Sequence, residues 1–143
     1  MARSGKAGAA VWAARLAFLT VFVINMMCVV QFVLWPGGYT GAYELSGVPG
    51  DVAVRGIGIA FAMWNVTYPL VIFNPDRFRT VGWIVLAQQL VGLVGESWIL
   101  STLPAGHDLL ASSILRFIVF DGAGLVLMAA AFFWMLAATR HKA

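Results

Sequence analysis

With 143 residues, 62% of them hydrophobic and only 10% charged, the chain carries more apolar surface than a soluble domain of its size could hide, so lipid must serve as its solvent. Its net charge of +3 comes from short segments flanking apolar runs and not from one clustered surface, which argues against nucleic acid as a partner. The lone Cys28 falls inside an apolar run; it excludes an internal disulfide and a Cys-x-x-Cys redox pair and reads as a small core hydrophobe.

The first span is predicted over residues 10–35. Its flank, "MARSGK", is basic like the start of a signal peptide, but the apolar run exceeds a signal core of about 7–15 residues. It is therefore read as an uncleaved anchor, with Arg15 snorkelling its charge back to the interface. "WPGGYTGAYELSGVPGD" follows as a turn-rich loop with Pro36, Pro49 and five glycines. The second span is predicted over 52–73, kinked by Pro69. "NPDRFR" then forces a hairpin into the third span, 80–101, and "TLPAGHD" another into the fourth, 109–138. Each run can cross about 30 Å of hydrocarbon as a helix. Helices and closed barrels alone satisfy the backbone there, and four long unbroken runs are not a barrel pattern. The expected fold is all-α, an integral membrane four-helix up-down-up-down bundle forming one transmembrane domain over residues 1–143.

Orientation follows from the basic residues. Arg3, Lys6, Arg15, Arg77, Arg79, Arg140 and Lys142 fall on one side, whereas the two opposite loops carry only Glu44, Asp51 and Asp108. The positive-inside rule places both termini and "NPDRFR" in the cytoplasm, in a bacterial inner or plasma membrane. Trp35 and Trp98 near outer ends, with Trp83 and Trp134 near inner ends, read as interface anchors.

Ionisable groups within the spans are the functional candidates, because charge in hydrocarbon is costly unless paired or wetted. At about 1.5 Å per residue, Arg55, Glu96 and Arg116 share an outer layer. Asn65, Gln88, Gln89 and Asp121 lie near mid-membrane, with Asn25 slightly shallower. Helical spacing puts Arg55, Gly58, Ala62, Asn65 and Pro69 on one arc, and Gln89 and Glu96 on one stripe with Gly92 and Gly95 between them. Small residues beside polar ones mark helix-packing faces, so the Arg55 and Glu96 stripes are expected to face each other. Glu96 is then expected within salt-bridge reach of Arg55 or Arg116. Such an arrangement locks three helices together, or, carrying excess positive charge, holds an anionic or polar ligand, or serves as a proton or ion relay. Asp121 lies about 7 Å below Arg116 and round the helix from it, so amides are its expected partners and it is expected to be protonated at neutral pH.

Neither histidine lies within a span (His107 is in an outer loop, His141 in the tail), so nothing supports a buried haem or histidine metal site. No span contains a lysine for a retinal Schiff base, and no phosphate loop, nucleophile elbow or zinc motif occurs. The Asn65-Val66-Thr67 triplet is a glycosylation match only by chance, given its depth. With four spans, the "RGIGIAF" opening of the second and the "RFIVFDGAGL" stretch of the fourth, the chain resembles the small four-helix membrane proteins grouped as DoxX-like. That resemblance implies a membrane subunit linked to quinone-dependent oxidation and assigns no residue a role.

Three functions compete. The first is a ligand-, lipid- or quinone-binding or accessory membrane subunit, alone, as a homo-oligomer or beside a partner membrane subunit. The others are a small oligomeric transporter or channel using Glu96 and Asp121, and a membrane-embedded enzyme. The first needs no catalytic constellation, and none is evident, so it leads.

Overall fold

Apolar runs of this length have one open-chain way to pair their backbone away from water, the α-helix. The computed structural model describes residues 2–140, with side chains from Gly5 onward, and these residues are helical apart from short connections. The helices are α1 (Ala2–Leu34), α2 (Gly47–Asn65), α3 (Tyr68–Phe73), α4 (Arg79–Thr102) and α5 (Asp108–Thr139). Four stretches, Gly5–Leu34, Gly47–Phe73, Arg79–Thr102 and Asp108–Thr139, are long and apolar enough to cross a membrane. Lys142, His141 and the side chain of Arg3 lie outside the described residues.

Two features of the second span differ from the sequence expectation. It begins at Gly47, not near Val52, because Pro49 sits in the first turn, where a missing N–H costs nothing. It is also broken rather than kinked: α2 stops at Asn65 and α3 starts at Tyr68. Pro69 has no N–H to offer residue 65, and its ring crowds that carbonyl. Polar side chains hold the break. Asn65 Nδ2 donates to the Phe61 carbonyl at 2.8 Å, and the Thr67 hydroxyl lies 3.3 Å from the Trp64 carbonyl and 3.2 Å from Gln88 Oε1.

Helix α1 packs against α2, α3 and α5, while α4 packs against α5 and α3; α2 and α4 make little direct contact. Paired residues run in opposite numerical order: Phe18 with Phe132 and Phe32 with Phe117 between α1 and α5, Gly82 with Phe132 and Gly92 with Asp121 between α4 and α5. At one end Arg79 bonds Asp76 and Thr139, tying the start of α4 to the end of α5. Arg15 lies at this Arg79 end too. Its Nε donates to the Ile72 carbonyl at 2.9 Å, and its guanidinium stands 4.4 Å from the Trp12 ring centre. It thereby satisfies a carbonyl left open by the end of α3.

The buried core sits in the half of the bundle nearest Arg79. Ala10, Ala14, Phe18 and Val21 of α1 meet Tyr68 and Val71 of α3, Val85 and Leu86 of α4, and Met128, Phe132 and Met135 of α5. Gly82 lets the Phe132 ring lie against the α4 backbone, in the close approach that small residues give membrane helices. The opposite half, nearest His107, is not filled in this way.

Candidate functional site

The unfilled half encloses a cavity of about 510 Å³ between α1, α2, α4 and α5. Its polar lining comes from Asn25, Cys28 and Gln31 of α1, Asn65 of α2, Gln89 and Glu96 of α4, and Arg116 and Asp121 of α5. The remaining wall is largely aromatic, with Phe61, Trp64, Phe117 and Phe120. Gly92 shapes the floor: a Cβ there would stand 2.7 Å from Asp121 Oδ2 and 3.6 Å from the Trp64 ring. α2 and α4 both line the cavity and make little direct contact with each other, and the Trp64 ring of α2 reaches across to Gly92 of α4.

Two hydrogen-bonded groups organise the deep end. Tyr68, fully buried, donates its hydroxyl to Gln89 Oε1 at 3.1 Å, and Gln89 Nε2 donates to Asp121 Oδ1 at 2.8 Å. The primary amide thus turns its acceptor to a phenol and its donor to a carboxyl. Alongside, Asn25 Nδ2 donates to Asn65 Oδ1 at 3.1 Å. The expected amide partner of Asp121 is present, and Arg116 makes no contact with that carboxyl; its Nε points to the Ser112 carbonyl of its own helix at 3.4 Å.

The outer polar layer departs from expectation. Among the described residues the salt-bridge contacts are Arg79–Asp76 and His107–Glu44, so Glu96 is paired with neither Arg55 nor Arg116. Arg55 is exposed and does not line the cavity. The cause is the small-residue stripe of α2, which is spent on α1: a Cβ on Gly58 would lie 2.9 Å from both Phe32 Cβ and Val33 Cγ2. With that face turned to α1, the Arg55 and Glu96 stripes do not meet. Glu96 remains half-buried against the cavity with no hydrogen-bond partner among the described residues. Gln88 also lies outside the cavity, its carbonyl turned to Thr67 at the helix break.

Tyr68, Trp64 and Tyr43 went unnoticed in the sequence. Trp64 carried a signal, since a tryptophan beside Asn65 at mid-span is far from the interfaces where tryptophans anchor. Tyr43 lies in the turn-rich loop, which folds into two 3₁₀ turns, Pro36–Gly38 and Thr40–Tyr43. Tyr39 and Tyr43 pack on Phe32, at ring separations of 4.9 and 6.1 Å, and Glu44 contacts His107 of the connection between α4 and α5. Beneath this cover a smaller chamber of about 200 Å³ shares Cys28, Gln31, Arg116 and Phe117 with the main cavity. Burial pushes the Tyr43 phenol above its ordinary range, with Cys28 and the Glu96 carboxylate adding to the effect, so this hydroxyl stays a neutral donor.

No family model, no curated protein and no solved structure matches this chain.

Proposed function

We propose that the protein is a membrane subunit that holds one bilayer-borne amphipathic molecule, a lipid, a quinone or a comparable small molecule, with its polar head in the cavity between α1, α2, α4 and α5. The observation that carries this reading is a cavity with several polar groups and an aromatic wall, enclosed by helices that are each long and apolar enough to cross a membrane. A volume of about 510 Å³ lies within the range of about 300–1,000 Å³ usual for small-molecule sites, and a mostly apolar wall with a few convergent polar groups is their usual chemistry. The DoxX-like resemblance, with its quinone-linked subunits, points the same way.

Native mass spectrometry of the protein released from lipid discs tests it. One retained small molecule is expected, and Gly92→Ala, whose methyl would crowd Asp121 and Trp64, should reduce its occupancy at least tenfold. Wild-type protein released bare, or an adduct indifferent to Gly92→Ala, would overturn it.

We further propose an up-down-up-down arrangement with both termini in the cytoplasm. The opposite numerical order of the helix contacts supports the first part, and the basic flanks support the second. With Cys28→Ala as background, a cysteine at Ser46 should react with an impermeant maleimide applied outside cells, and one at Ser4 should not. The reverse labelling would invert the topology.

A further inference from the structure

The chemistry lining the cavity bears on the charge of its occupant. Both of its carboxyl groups, Glu96 and Asp121, lack a cationic partner: the salt-bridge contacts among the described residues lie elsewhere, at Arg79–Asp76 and His107–Glu44. A half-buried carboxylate without a partner is costly, and an occupant that brings positive charge removes that cost. The single cation at the rim, Arg116, is exposed and directed to Ser112 of its own helix. An anionic head in the cavity would share it with two acids and a single guanidinium.

The aromatic wall narrows the choice further. Ring faces attract cations through their quadrupole, and they do so best for soft organic cations whose charge is spread over a hydrophobic body. Trp64 and Phe61 come from α2 and Phe117 and Phe120 from α5, and Phe61 meets Phe117 edge to face at 6.0 Å between ring centres, so these rings join α2 and α5 in an aromatic wall. A bare metal ion would find no adequate ligand set, because no group of three or more metal-ligating side chains occurs among the described residues. Gln89 holds Asp121 Oδ1, and the absence of a side chain at Gly92 leaves room beside Oδ2.

We propose that the cavity takes a hydrophobic organic cation, an ammonium or phosphonium with an apolar body, held against the aromatic wall by the acids Glu96 and Asp121, whose ionised forms its charge stabilises. This rests on the reading above that the cavity binds a membrane-borne molecule, and it adds the sign of the charge. The cation carries its apolar body in from the hydrocarbon.

Tetraphenylphosphonium and tetraphenylborate, ions of nearly equal size and opposite charge, test the proposal, with ubiquinone-1 as a neutral probe. Binding is followed by tryptophan fluorescence and equilibrium dialysis in phosphatidylglycerol discs, as the difference between wild-type and variant discs, which cancels partition into lipid. The phosphonium should bind at least tenfold more tightly than the borate. Glu96→Gln and Asp121→Asn should each weaken it about tenfold, and Arg116→Gln should not weaken it. If one acid variant fails to fold, the other and the wild-type preference between the two ions still decide. Adding phosphatidylethanolamine separates sources: competition assigns the ammonium to a lipid headgroup, and unchanged affinity assigns it to a free cation. Borate or ubiquinone-1 binding as tightly as the phosphonium, with the acid variants silent, would overturn the cation while keeping a binding cavity. Failure of all three probes to bind would remove the cavity reading as well.

Discussion

Replacing Gln89 with leucine should destabilise the protein by about 1–3 kcal/mol, the usual cost of stranding a buried hydroxyl. Tyr68 is fully buried and its hydroxyl has Gln89 Oε1 as acceptor, at 3.1 Å. Leucine keeps the volume but takes that acceptor away, and it removes the donor from Asp121 Oδ1 in the same step. Asp121 borders a cavity and can be wetted in compensation, whereas Tyr68 cannot, so the phenol carries most of the cost. Asp121→Asn should by contrast fold nearly as the wild type does, since an asparagine carbonyl still accepts from Gln89. Thermal unfolding in one detergent, followed by helical circular dichroism, checks both. Equal midpoints for Gln89→Leu and wild type would mean that the phenol finds another acceptor.

The second large effect is expected at Gly82. A Cβ at this position would stand 2.5 Å and 2.7 Å from two atoms of the Phe132 ring, closer than side chains approach one another. The ring has no room to retreat. Phe132 is fully buried, edge-on to Phe18 at 6.0 Å and to Trp83 at 5.5 Å between ring centres. Gly82→Ala should therefore cost about 1–3 kcal/mol as overpacking, and Gly82→Val more. Phe132→Leu gives the relief test. Alone it leaves a void, but combined with Gly82→Ala the two should be less harmful than their sum, by at least about 0.5 kcal/mol in a double-mutant cycle. Strict additivity would place the strain elsewhere.

What could be seen in the sequence was whatever hydropathy and depth govern. The four segments able to cross a membrane follow from run length, and an amide partner for Asp121 follows from equal depth, whereas the bond between Asn25 and Asn65 was not foreseen. Rotation about a helix axis was harder to see. The arc through Arg55, Gly58 and Asn65 was correctly recognised as a packing face, but nothing in the residues said whether α1 or α4 would receive it. Gly58 against Phe32 settles the matter in favour of α1, and with it fall the expected ion pairs of Glu96. The break at 66–67 was half legible: Pro69 announces a fault, while its position depends on Asn65 and Thr67 binding the freed backbone. Tyr68 stayed hidden because an interior tyrosine reads as bulk until its hydroxyl has an address.

The dry packing near Arg79 and the cavity near His107 occupy different lengths of the same helices. Along α5, residues 128, 132 and 135 answer for folding, while 116, 117, 120 and 121 answer for contents. Gln89 is the hinge between the two ledgers. If the cavity takes a guest as proposed, a change at Glu96 would alter what it accepts and leave the folded state available to be altered again, because that carboxyl makes no hydrogen bond or ion pair among the described residues.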